Sequence, residues 1–226
     1  MMMERGLRAF LFGVAAFALA TCGNEEGMAG LEEAGQLLRN VGGGAATGGG
    51  RVPSERIAAA LEDGGGALLL VLVEDRNSEA LLPEIERNAG YVTFATADRQ
   101  TLTLRRGIVT ATRGLGGDLM SADIAALDAL LSARRAGNAR RVMRYLDGNE
   151  QTVALVFDCA VTRGELRRVE AGRIDRTALE MTETCRDAGG REIENTFLVT
   201  AAGEVIASRQ WLGELNGYAT LTRLRE

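Results

Sequence analysis

The chain has 226 residues, 46% of them hydrophobic, and a formal net charge of −5; that is enough for one domain of ordinary size with its own core. All 26 basic residues are arginine, with no lysine and no histidine, which excludes a Ser-His or Cys-His dyad, a lysine Schiff base, a Walker lysine and a histidine-ligated metal. The acidic balance gives no global support to a nucleic-acid role.

Met1 to Arg8 carries two arginines against one glutamate, and Ala9 to Ala20 is an unbroken apolar and small-residue run. The run falls short of the roughly 20 residues that a helix needs to cross a bilayer and ends in small residues, so residues 1–21 read as a signal peptide. Leu19-Ala20-Thr21-Cys22 resembles a lipobox, with cleavage before Cys22 and lipid attachment to it. Several acyl chains anchor firmly, because each buried methylene contributes about 0.8 kcal/mol. The alternative is ordinary cleavage near Ala20, leaving Cys22 a free thiol. Gly23 and Asn24 follow, with no Asp directly after the cysteine, which favours the outer membrane, periplasmic face, over the inner membrane.

Residues 22–50 read as a lipid-anchored tether. Met28, Leu31, Leu37 and Leu38 are spaced for a short amphipathic helix, and Gly42 to Gly50 has six glycines in nine residues, too few apolar groups to pack. A phosphate-cradling loop is the alternative, but no strand precedes it and no GK[ST] follows. A single β-rich periplasmic domain is expected over 51–226, opening with a short helix where Pro53-Ser54-Glu55 leads into Ile57, Ala60 and Leu61.

Leu68 to Val73 is a continuous apolar run of strand length. Tyr91 to Thr96 and Gln100 to Leu104 form a hairpin around Ala97-Asp98-Arg99, and Ile108 to Thr112 continues the β pattern. Ser121 to Ala136 changes to helical spacing at Ile124, Leu127, Leu130 and Leu131, with Gly137-Asn138 beyond its end. Strands are expected at Val142–Leu146, Thr152–Thr162, Ala178–Arg186, Glu192–Thr200, Val205–Leu212 and Tyr218–Leu224. Arg163-Gly164-Glu165, among other polar and glycine clusters, supplies the turns. About ten short strands with one or two short helices define a mainly β fold: a curved antiparallel sheet, a sandwich or a partly open barrel.

Cys159 and Cys185 form an even pair in an exported chain, and in strand alternation both sulfurs face the same core. A disulfide closing a loop of about 25 residues would stabilise by roughly 3 kcal/mol; two buried thiols or a two-thiolate metal site are the alternatives. Trp211, the only tryptophan, shares a strand face with Arg209, and an indole beside a guanidinium suits acidic sugars. Core packing is the other reading of Trp211. Arg140 and Arg141 belong to an arginine cluster that suits acidic polysaccharide or lipid head groups, against a reading as solvated turns. Glu180 and Glu183 invite a glycosidase reading, which needs two carboxylates about 5 to 10 Å apart across a cleft. No catalytic residue, cofactor or metal is assigned.

Ile108-Val109-Thr110-Ala111-Thr112-Arg113-Gly114-Leu115-Gly116-Gly117-Asp118-Leu119 resembles a strand and glycine-rich segment of the YjbF/GfcB family, and Ser208-Arg209-Gln210-Trp211-Leu212-Gly213 resembles that family's tryptophan strand. The resemblance implies an outer-membrane lipoprotein encoded with exopolysaccharide or group 4 capsule genes. Its partners would be polysaccharide export proteins of the outer membrane and periplasm, with no enzymatic activity. The alternatives are a lipid or lipoprotein carrier with an apolar pocket and a carboxylate-based polysaccharide-modifying enzyme.

Overall fold

The computed structural model describes residues 50–226; the expected signal peptide, Cys22 and nearly all of the expected tether lie outside the described residues. Twelve strands follow one another: β1 (Leu68–Val73), β2 (Ser78–Asn88), β3 (Tyr91–Ala95), β4 (Thr101–Arg105), β5 (Ile108–Arg113), β6 (Leu119–Asp123), β7 (Gly137–Leu146), β8 (Thr152–Ala171), β9 (Ile174–Asp187), β10 (Glu192–Thr200), β11 (Val205–Gly213) and β12 (Gly217–Arg225). Helix α1 (Ser54–Glu62) precedes β1 and helix α2 (Ala125–Ser132) links β6 to β7. Each strand pairs antiparallel with its sequence neighbour, except across β5 and β6, and β12 pairs back onto β1. The result is an up-and-down meander curled into a nearly closed barrel.

The seam between β5 and β6 is bridged by side chains. Thr112 Oγ accepts from Leu119 N (2.9 Å) and the Arg113 guanidinium donates to the Leu119 carbonyl (3.0 Å). The two edges are therefore covered rather than left as open templates. Strict alternation of strand direction puts the turns at 74–77, 96–100, 114–118, 147–151, 188–191 and 214–216 at one end, hereafter the loop end. Helix α2 and the turns at 89–90, 106–107, 172–173 and 201–204 lie at the other, the helix end.

The apolar run of β1 has a double cause. Leu69 and Val71 face the main core inside the barrel, while Leu68 and Leu70 pack outward against Ile57, Ala60 and Leu61 of α1. Both faces are covered, so no polar residue is tolerated. Two strands depart from the sequence expectation. β2 carries Pro83 and a helix-like composition, yet it runs between β1 and β3; Pro83 stands beside the irregularity at Glu84–Glu86, where a missing N–H is tolerated. The Arg163-Gly164-Glu165 segment is a bulge inside a 20-residue strand, not a turn. The extended β8–β9 hairpin bends there and lays Val169, Ile174 and Ala178 on Leu198 and Ile206. Its tip meets β12, where Arg173 N donates to the Leu224 carbonyl (2.7 Å). The helix expected over 121–136 is shorter: Asp123 still belongs to β6 and accepts from Ala125 N (3.2 Å), and Gly137-Asn138 open β7 instead of ending the helix.

Candidate functional site

The two sulfurs are joined. Cys159 stands directly opposite Cys185 in the β8–β9 register and the pair forms a disulfide across 26 residues of chain, inside the main core. The Glu183 carboxylate lies within 4.8 Å of both sulfurs; joined as a disulfide, the sulfurs offer no thiolate to a metal.

Next to the disulfide runs a buried polar chain. Arg141 on β7 and Glu183 on β9 are both fully buried, and the Arg141 Nη1 donates to Glu183 Oε2 at 2.8 Å. Asn195 on β10 donates to the same oxygen (2.8 Å) and accepts from the Trp211 backbone N–H (2.7 Å). Four strands are thereby tied through one carboxylate. Arg141 Nε and Nη2 and Glu183 Oε1 are buried without a hydrogen-bond partner among the described residues.

The Ser208-to-Gly213 motif acts on the wall itself. Gln210 reaches across the barrel to β5, accepting from Val109 N (2.9 Å), donating to the Gly107 carbonyl (2.9 Å) and donating to Ser208 Oγ (2.8 Å). It satisfies backbone groups where the irregular pairing of β4 with β5 interrupts the ladder. Arg209 clasps the Glu74 carboxylate (2.7 and 2.9 Å) and lies 3.7 Å over the Tyr218 ring. That guanidinium holds the Glu74 carboxyl below its ordinary value, against the opposing effect of burial. Trp211 packs edge-on against Phe157 and Tyr145 at 5.9 and 6.4 Å between ring centres. Simple alternation puts Trp211 on the face of Arg209, but pairing slips between Trp211 and Gly213, and Gln210, Trp211 and Leu212 are all buried. Burial pushes the Tyr145 phenol well above its usual range, and its hydroxyl donates to the Leu212 carbonyl (3.1 Å).

The glycine-rich motif forms the β5–β6 turn at the loop end. Asp118 accepts from Gly114 N (2.7 Å), Leu115 N (3.0 Å) and Thr112 Oγ (3.1 Å). Arg76 donates to the Leu115 carbonyl (2.8 Å) and Asn216 to the Gly116 carbonyl (2.7 Å). Gly114, Gly116 and Gly117 all take positive φ, which side chains resist. The loop is held in place by these neighbours.

Of the arginines singled out in the sequence, the structure brings Arg141 inward and leaves Arg140 on the outer wall. Arg140 pairs in register with Asp158, which in turn faces Arg186, and Arg186 bridges to Glu192 (3.0 Å). The Arg140 side chain forms no hydrogen bond or ion pair, and it borders a shallow valley of ≈ 630 Å³. A smaller pocket of ≈ 240 Å³ opens at the helix end, lined by Phe94, Leu104 and Arg223 among others. The adjoining interior narrows to ≈ 10 Å³, and Phe157, Phe197, Met143 and Met181 fill the core. Sequence reasoning missed Gln210, Asn195 and Asn216 as structural ties. For Gln210 and Asn195, a polar residue within a strand that faces the core was the available signal; Asn216 lies in the β11–β12 turn and carried none.

These features define a class: a β-barrel domain, stapled by a disulfide, whose distinctive sequence words hold the wall of the barrel together. A family model described as group 4 capsule polysaccharide lipoprotein GfcB, YjbF matches residues 51–224, and the chain belongs to this family of capsule-polysaccharide-associated lipoproteins. Among solved structures, the hypothetical lipoprotein YmcC from Escherichia coli K12 is similar, with a TM-score of 0.65 and 15% identity over 74% of this chain and 87% of that one. That likeness concerns the fold. No curated protein sequence matches the chain. Neither the family nor the neighbour indicates a catalytic activity, and membership of a lipoprotein family accords with a membrane-anchored location.

Proposed function

We propose that the chain is an outer-membrane lipoprotein, anchored by lipid on Cys22, that assists the production or export of exopolysaccharide or capsule at the periplasmic face without catalysing a reaction. The observation that carries this reading is the family match across 51–224. The lipobox-like Leu19-to-Cys22 segment and the tether of residues 22–50 stand directly upstream of the matched region.

The carboxylates support a non-enzymatic role. Glu74 and Asp175 have lowered pKa values, each through an arginine partner, Arg209 and Arg168; a general acid needs the opposite shift. Glu183 is fully buried and paired with Arg141 at 2.8 Å. Glu180 pairs with Arg167 at 2.6 Å on the surface. With Trp211 and Arg141 in the core and Arg209 engaged by Glu74, Arg140 is the member of the sequence-derived set best placed to touch acidic polysaccharide or an export protein. A carrier function is not favoured, because the pocket at the helix end is small and the interior beside it is filled.

The test is a clean deletion of the gene, with surface polysaccharide measured while its neighbouring genes are expressed. A drop in polysaccharide, restored by the intact gene, is expected. Unchanged surface polysaccharide would refute the proposal.

A further inference from the structure

The pocket at the helix end joins apolar walls to unmatched charge. Val92, Phe94 and Leu104 line it, with Arg87, Arg106 and Arg223 around them. Two of these guanidinium groups are already satisfied. Arg87 is held by both oxygens of Glu84 (2.8 and 2.7 Å), and Arg106 meets Asp128 (3.2 Å) and the Gly203 carbonyl (3.3 Å). Arg223 on β12 has no such partner: it is half-buried, and its side chain forms no hydrogen bond or ion pair. It also lines the narrow void behind the pocket, together with Leu69 and Leu221. Across the pocket, the Glu204 carboxylate on the β10–β11 turn is likewise without a partner.

A half-buried guanidinium gives up hydration without recovering it from a counter-charge, and a ligand carboxylate would supply what is missing in a bidentate, charge-assisted contact. A free carboxylate nearby is an acceptor for hydroxyl donors. Apolar walls suit the C–H faces of a sugar ring. The volume of ≈ 240 Å³ lies below the roughly 300 Å³ at which ordinary small-molecule pockets begin, which suits one ring and excludes an acyl chain. We propose that this pocket binds a single carboxylated sugar residue, a uronate or its equivalent, with the sugar carboxylate on Arg223 and a ring hydroxyl donating to Glu204. The inference rests on the polysaccharide reading of the protein and sharpens it by naming the acidic sugar as the group recognised.

The experiment uses the full chain in detergent micelles and saturation-transfer NMR, with methyl glucuronide and methyl glucoside as probes. Glucuronide is expected to bind and glucoside to bind about tenfold more weakly or less, the loss of a charged hydrogen bond. Arg223→Gln should abolish that preference, Arg223→Lys should keep part of it, and Arg144→Gln, at an exposed position of β7, should leave it intact. Because the Arg223 side chain forms no hydrogen bond or ion pair, each variant should melt with the wild type. No binding, equal binding of the two sugars, or an unchanged preference in Arg223→Gln overturns the proposal. The deletion strain separates this failure from the broader one. If Arg223→Gln restores full polysaccharide where the empty strain does not, the pocket assignment fails while the polysaccharide role stands.

Discussion

Replacing Arg141 by Met should destabilise the domain far more than replacing Arg141 and Glu183 together. Both side chains are fully buried, and among the described residues the guanidinium is the only cation bonded to the Glu183 carboxylate, at 2.8 Å. Removing it strands a charge in the core, at a cost of about 3–5 kcal/mol. For a domain of this size each kcal/mol moves the melting temperature by about 2–4 °C, so the single variant should melt roughly 6–20 °C below wild type. Asn195 also donates to Glu183 Oε2, so the companion substitution must keep an acceptor. Glu183→Gln does so without a charge. The Arg141→Met/Glu183→Gln pair should therefore recover at least about 2 kcal/mol of the single variant's loss, because no uncompensated charge remains. Chemical denaturation of all four forms in a double-mutant cycle provides the measurement. Additive losses, or a cost below about 1 kcal/mol for Arg141→Met, would show that the buried pair does not tie the strands as described.

Removing the disulfide by Cys159→Ala/Cys185→Ala should cost about 3.5 kcal/mol on the chain-entropy model for its 26-residue separation, read as a lower melting temperature that reducing agent no longer changes. Asp118→Ala removes the acceptor of two backbone N–H groups and the Thr112 hydroxyl; a loss of about 1–3 kcal/mol is expected, with faster amide exchange confined to the β5–β6 turn. Gly203→Ala should destabilise by about 1–3 kcal/mol, since the glycine has φ +78° and a Cβ would meet the Ser132 carbonyl at 2.5 Å. Gly148→Ala, with nothing within 4 Å, is the matched control. The folded-state pKa of Glu74 is depressed below 4.5 by Arg209, so its stabilisation is present above the unfolded value and lost as pH falls through the folded one. The stability gap between wild type and Glu74→Gln should hold at neutral pH and close as pH falls below the ordinary value of 4.5 and through the lowered folded one; a gap that widens on acidification contradicts the assignment.

Local patterning revealed most strands, because alternation and turn chemistry are short-range signals. Leu68 to Val73 stood out as it is apolar on both faces, and the Asp147 and Asp187 turns carried their own capping oxygens. β2 was hidden since Pro83 and a Glu-rich, Leu-rich composition point away from a strand; its place is set by pairing with β1 and β3, a tertiary effect. The distal β8–β9 hairpin was hidden because Gly164 reads as a turn residue, whereas its backbone serves a bulge. The common core face of the two cysteines was visible from alternation alone. The inward packing of Trp211 was not, because Gln210, Trp211 and Leu212 are buried in succession, which a period of two cannot express. The pocket around Arg223 draws on β2, β3, β4, β12 and the β10–β11 turn, residues more than a hundred positions apart, and no local pattern joins them.

Whether a membrane-anchored barrel assists polysaccharide production is decided by complementing the deletion strain with two forms of the gene. One carries the native sequence; the other carries Cys22→Ser behind a cleavable, non-lipid signal peptide. Native protein should return surface polysaccharide to the wild-type amount, and the soluble form should leave it near the level of the deletion although the domain is present and folded. Equal restoration by both would contradict the anchor's part in the function, and no effect of the deletion itself would contradict the function.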